Sequence, residues 1–177
     1  MKAVLIVILV LVALVGLVVA VGLALPRNHQ ATSRITLPQP PAEVWAVVRD
    51  LGSLLGTWKD LKAARRLPTS PDQDGKETWE QNAGGFTMRL VVEESDSARR
   101  LVTRIDAPPD ADFGGRWIYE LEPDGAGTRV TVTEDGWVSN PLFRTMMRVM
   151  GTHKSVDGYL GALGRKLGQA VRPVHVE

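Results

Sequence analysis

The chain has 177 residues with 21 Lys+Arg against 20 Asp+Glu, and beyond residue 25 the two signs balance at 20 each, so the basic excess that nucleic-acid binding requires is missing. It has no cysteine, and its three histidines, His29, His153 and His175, are far apart, which excludes disulfides and thiolate chemistry and leaves no ligand-spaced metal motif. No cofactor is expected, and once the apolar N-terminus is set aside about 150 residues remain, enough for one well-cored domain.

Ala3 to Leu25 is drawn only from Ala, Val, Leu, Ile and Gly, and as helix it would extend about 35 Å, enough to span a bilayer. Pro26 ends it. A cleaved signal peptide is the competing reading, but the run exceeds the roughly 7–15 apolar residues usual there, and its only small-x-small site, Ala20-Val21-Gly22, lies inside the run. The α-amino group and Lys2 on one side and Arg27 and Arg34 on the other give an even count under the positive-inside rule. With only two residues ahead of the run, the expected orientation places the domain on the extracytoplasmic side. The expected organisation is a transmembrane anchor at 1–26, a polar tether at 27–33, a folded domain at 34–170 and a frayed tail at 171–177.

Arg34 to Leu37 alternates like a strand. Pro40-Pro41-Ala42-Glu43 opens a helix with proline in its first turn and a carboxylate at the positive end of the dipole, and Val44, Val47, Val48 and Leu51 recur at helical spacing. Asp50 to Asp60, with Gly52 and Gly56 around Leu54, Leu55 and Trp58, suggests a helix–turn–helix pair. Strand patterning follows over Leu61–Leu67, Lys76–Asn82, Phe86–Glu93, Arg99–Asp106, Arg116–Glu122 and Thr128–Glu134. The breaks between them, such as Pro68 to Asp72, Ala83-Gly84-Gly85 and Pro108-Pro109-Asp110, are rich in Gly, Pro, Asp or Ser. Phe86, Met88, Leu90 and Val92 share one face, as do Trp117, Tyr119 and Leu121. Ser139-Asn140-Pro141 then caps a helical stretch to about Ala170, interrupted near Gly151. Leu142, Val149, Val156, Leu160, Leu163 and Leu167 can share its apolar face, beside a strip of Gly158, Gly161, Gly164 and Gly168 that invites close approach.

Strand, short helices, antiparallel strands and a long C-terminal helix is the order of the α+β helix-grip fold. Within it, Ile35-Thr36-Leu37-Pro38-Gln39-Pro40-Pro41-Ala42-Glu43-Val44-Trp45, followed by Asp50 and Trp58, resembles the opening of the SRPBCC superfamily (START/Bet v 1-like, polyketide cyclase/dehydrase-related). Gly75…Trp79-Glu80, Gly114-Gly115-Arg116-Trp117, Thr133-Glu134-Asp135-Gly136 and Asn140-Pro141-Leu142-Phe143-Arg144 resemble its membrane-anchored bacterial members. The likeness covers roughly residues 31–169. It implies a sheet curled around the last helix and a cavity, but no particular reaction, because carriers, receptors, cyclases and oxygenase subunits share the scaffold.

The candidate ligand-binding residues are Trp79, Met88, Trp117, Tyr119 and Glu134, with Phe143, Met146 and Met150 from the last helical stretch. Large aromatics and pliable methionines suit an irregular apolar ligand, though each also serves as ordinary core. Glu134 shares parity with Val130 and Val132, so its carboxylate points inward at a strand end; it could orient a ligand, act as a base, or sit paired at the rim. Glu80 admits the same readings. No residue is assigned as catalytic: Gly-x-Ser-x-Gly is absent, and Gly84-Gly85 and Gly125-Ala126-Gly127 suit hairpin turns better than phosphate loops. Lys59, Lys62, Arg65 and Arg66 could attract anionic headgroups or simply face solvent. Three functions remain: binding or transfer of a hydrophobic small molecule or lipid, a cyclase/dehydrase-like enzyme using the same cavity with Glu134 or Tyr119 in acid/base work, and a protein-interaction module with a filled interior.

Overall fold

The computed structural model describes residues 1–70, 73–108 and 110–176, so the expected turn residues Pro71, Asp72 and Pro109 and the terminal Glu177 lie outside the described residues. Helix α1 (Lys2–Ala24) projects from the domain with its side chains almost all exposed, touching it near its C-terminal end, where Gly22 meets Pro141. It has the length and apolarity of a membrane span, a test that a signal sequence also passes. The strands are β1 (Asn28–Leu37), β2 (Leu61–Arg66), β3 (Thr78–Ala83), β4 (Phe86–Asp96), β5 (Arg100–Ile105), β6 (Phe113–Asp124), β7 (Gly127–Val138) and β8 (Val174–Val176). Helix α2 (Pro41–Arg49) follows β1, and α3 (Pro141–Met150) and α4 (Lys154–Lys166) follow β7.

All eight strands join one antiparallel sheet in the order β2-β3-β4-β5-β6-β7-β1-β8. This curled sheet with helices against its concave side is the helix-grip fold. Period-2 alternation builds the inner face: Leu121 of β6 and Val130 and Val132 of β7 are buried, while their neighbours Glu120, Glu122, Arg129 and Thr131 are more exposed. α4 fills the grip with Val156, Leu160 and Leu163, all fully buried, and α2 contributes Val44 and Val48.

Several local expectations change. The stretch expected as a tether is strand: β1 begins at Asn28 because β7 runs on to Val138 and supplies partners for residues 28–33, burying Ala31 and Ser33. β6 starts at Phe113, since Gly115, at φ 144, continues the ladder through a conformation closed to other residues and lets the backbone of Asp135 and Gly136 approach closely. Residues 50–58 form successive turns, through Ser53 N–H to Asp50 O, Leu55 N–H to Gly52 O and Trp58 N–H to Leu54 O, instead of a second helix.

The tail is docked: β8 pairs with β1, and His175 Nε2 lies 2.9 Å from Asp157 Oδ2, whose other oxygen accepts from Ser33. The glycine strip has separate causes. Gly158 faces the Trp58 indole, a Cβ at Gly164 would overlap Val171, and Gly168 takes φ 74 at the end of α4. The last helical stretch is two helices. Gly151 at φ 91 ends α3, so Leu142 and Val149 leave the predicted core face and are exposed.

Candidate functional site

Between the concave sheet, the 50–58 turns and the two C-terminal helices lies a half-open cavity of about 390 Å³, within the size range of small-molecule sites. Its floor is aromatic. Tyr159 of α4 meets Trp58 edge-on at 5.6 Å (88°), Trp117 at 5.8 Å (78°) and Tyr119 at 5.3 Å (60°). Leu90 and Thr103 continue the wall along β4 and β5. At the mouth, Phe86 of the β3–β4 hairpin contacts Phe113 at 5.1 Å and Phe143 of α3 at 5.3 Å, and Met146, Met147 and Met150 complete the lip.

Asn140 sets this lip. Its Oδ1 accepts from the backbone N–H groups of Leu142 (3.0 Å) and Phe143 (3.3 Å), and Pro141 sits at the first helical position, which starts α3 at the end of β7. By helical spacing Phe143, Met146, Met147 and Met150 (i, i+3, i+4, i+7) then share the face that borders the cavity.

Polar groups enter the wall from several elements: Asp50, Ser53 and Asp60 from the turns, Gln81 from β3, Lys154 and Ser155 from the start of α4, and one pair where β1 and β7 meet. Glu134 follows the buried Val130 and Val132 in parity, and its side chain is 21% exposed. His29 of β1 stands beside it, Nε2 to Oε1 at 3.7 Å, beyond direct hydrogen-bond reach, and that nitrogen has no partner among the described residues. Burial pushes the Tyr119 phenol well above its ordinary pKa; a hydrogen bond with Thr103 opposes this and the Glu134 carboxylate adds to it. Burial, and then Tyr119, likewise raise Tyr159. Both phenols are therefore neutral at physiological pH. Tyr119 can donate a hydrogen bond but cannot serve as a base there. Glu134 is the acceptor, and a ligand oxygen placed between Glu134 and His29 would satisfy both.

Of the residues singled out in the sequence, Met88, Trp117, Tyr119 and Glu134 come together with Phe143, Met146 and Met150 around this one cavity. Trp79 does not border it: its indole N–H donates to Glu77 Oε1 at 2.7 Å, and its ring lies under Gly52 at the α2 side of the sheet. Glu80 is taken up by Arg65 at 2.8 Å, and Arg66 by Glu77 at 3.1 Å, so half of the basic cluster is paired, while Lys59 and Lys62 are exposed. Sequence reading missed His29, which fell in the supposed tether, and Tyr159, whose spacing with Val156, Leu160 and Leu163 offered a signal. No group of three or more metal-ligating side chains exists among the described residues.

Comparison with known proteins agrees with this architecture. Residues 28–167 match the family described as Polyketide cyclase / dehydrase and lipid transport. Among solved structures, the chain is similar to TTHA0849 from Thermus thermophilus, with 21% identity and a TM-score of 0.61 over 78% of this chain and 96% of that one. It is similar to a START superfamily protein from Mycobacterium smegmatis, with 13% identity and a TM-score of 0.58 over 78% and 94%. It also resembles the di-domain ARO/CYC StfQ from the steffimycin biosynthetic pathway, with 9% identity and a TM-score of 0.59 over 77% of this chain and 49% of that one. At these identities the likeness is one of fold. The search of curated proteins finds no match.

Proposed function

The chain belongs to the polyketide cyclase/dehydrase and lipid transport family, and from that premise we propose that it binds or transfers a hydrophobic small molecule or lipid, held in the cavity of a domain that α1 tethers to a membrane. The observation that carries this reading is the cavity itself, about 390 Å³ of space bounded largely by aromatic rings and methionines, with Glu134 and His29 among the polar groups in its wall. Its occupant has an apolar body and one oxygen-bearing end directed at Glu134 and His29. A tether raises the encounter rate between such a domain and lipid. A filled interior, the premise of the interaction-module reading, is not what these side chains form.

The test is native mass spectrometry of full-length protein extracted in mild detergent, with displacement of a fluorescent apolar probe. A co-purifying apolar species that the probe competes with supports the proposal. An empty interior that ignores the probe overturns it. The juxtaposition of Glu134, His29 and the neutral Tyr119 phenol favours a second reading, a cyclase/dehydrase-like enzyme with Glu134 as acid/base group. Glu134→Gln separates the two: weaker binding without any turnover to lose fits the carrier, whereas lost turnover with retained binding fits the enzyme.

A further inference from the structure

The mouth of the cavity lies at the end of the sheet from which α1 leaves. β1 enters there at Asn28, β7 exits at Val138, and the β3–β4 hairpin and the start of β6 close the rim. α3 crosses this end and is fastened to α1. Arg144, buried and without a carboxylate partner among the described residues, donates to Leu25 O at 2.7 Å and to Ser139 O at 3.2 Å, and Thr145 Oγ1 donates to Val18 O at 2.9 Å. Gly22, the one buried residue of α1, receives Pro141 so closely that a Cβ would overlap its carbonyl. Val18 lies seven residues before Leu25, about 10 Å down the helix at about 1.5 Å per residue.

At about 100° per residue, Leu142, Met146 and Val149 form a strip between the edge of α3 that lines the cavity (Phe143, Met150) and the edge that touches α1 (Thr145). The strip is open: Leu142 is 53%, Met146 44% and Val149 82% exposed. Phe86, 37% exposed, adjoins it across the mouth through Phe143. Arg27 and Arg148, both exposed, border the same small cleft beside Leu25 and can reach headgroups from there.

We infer that the exposed apolar strip of α3, with Phe86 beside it, sits in the interfacial layer of the bilayer that α1 spans, so that the cavity mouth opens onto lipid. This rests on the reading of α1 as a membrane anchor. A helix fastened beside the last two turns of a span is held at the depth of about 5–10 Å at which amphipathic interfacial helices bury their apolar faces. Ligand exchange then runs between cavity and bilayer without crossing water, and the pliable Met146 and Met150 form the passage.

The absence of native cysteine allows single nitroxide labels at introduced cysteines in the full chain, reconstituted into phosphatidylcholine–phosphatidylglycerol vesicles. Labels at Leu142→Cys and Val149→Cys should be several-fold more accessible to oxygen than to a water-soluble nickel chelate, as at Ala13→Cys within α1. Ser97→Cys, on the β4–β5 turn at the far end of the sheet, should show the reverse. Water exposure at positions 142 and 149 with lipid exposure at 13 overturns the docking while leaving the anchor intact. Water exposure at 13 as well overturns the anchor and the docking with it. Dipolar coupling between Val149→Cys labels on different molecules overturns the proposal in favour of a second copy as the occupant of this face.

Discussion

Alkaline titration tests the interior of the cavity without knowledge of its ligand. The chain has two tyrosines, Tyr119 and Tyr159, and both are buried at 4% and 6% exposure in the cavity floor. Burial raises both phenols above their ordinary pKa. Their stabilising contribution is therefore complete below the unfolded value of about 10 and declines as pH rises above it, because the unfolded chain sheds protons that the folded chain retains. Each pH unit in that window costs on the order of 1 kcal/mol for a phenol that stays protonated only in the folded chain, an appreciable part of the stability of an ordinary domain. Near-ultraviolet absorbance of tyrosinate and far-ultraviolet circular dichroism, followed together, should stay flat through pH of about 10 and then change in one cooperative step. Tyrosinate appearing along an ordinary curve while the dichroism holds would refute the sealed floor and the role of Tyr119 as a neutral donor.

Acid should act through Glu77, whose carboxyl the Arg49 hydrogen bonds hold down to about 2 against the opposing effect of burial, with the Trp79 N–H and Arg66 assisting. Its contribution is present above the ordinary 4.5 and is lost as pH falls towards 2; the shift corresponds to about 3 kcal/mol, which screening at the exposed Arg66 reduces to about 1–2. Urea unfolding should show that difference for Glu77→Gln at neutral pH and a flatter acid limb. Gly164→Leu should displace Val171 and undock β8, costing about 1–3 kcal/mol through overpacking and exposing the backbone amides of Thr32 and Arg34 to faster hydrogen exchange. Asn140→Ala should remove the cap of α3 at a cost of about 1 kcal/mol, read as faster release of a bound apolar probe with an unchanged rate of unfolding of the sheet.

The parts of the fold that could be read from sequence are those whose physics is local. Alternation over Phe86–Val92 and Trp117–Leu121, proline at the starts of α2 and α3, and the Asn140 cap each announce themselves within a few residues. What escaped depends on partners distant in the chain. Asn28 to Ser33 is polar and looks like linker until β7 extends far enough to pair with it. The extension passes through Gly114, Gly115 and Gly136, which read as breaks in isolation and act as bending points in a sheet. His29 was lost with them, because a residue assigned to a tether is not weighed as a cavity wall. Trp79 is a cavity candidate as a large aromatic, but the ion pair of Glu77 with Arg49 and the Trp79 N–H bond to Glu77 hold its ring beside α2.

An unfilled apolar space is costly unless its walls cannot fall in, because protein interiors otherwise pack as densely as organic crystals. Here the floor resists collapse by geometry: Trp58, Trp117, Tyr119 and Tyr159 are wedged against one another at centroid distances of 5.3 to 6.1 Å, so no ring can swing inward without driving into another. The lip has no such bracing. Met146, Met147 and Met150 are unbranched and project from a ten-residue helix bounded by a cap at Asn140 and a positive-φ glycine at Gly151, so they can follow an incoming surface at little cost in rotamer strain. Under the proposed function, a stiff floor would fix the polar end of a ligand against Glu134, and a compliant lip would tolerate variation in its apolar body. On that reading, selectivity would concentrate at the Glu134–His29 side, while the rate of entry and exit would be set by α3.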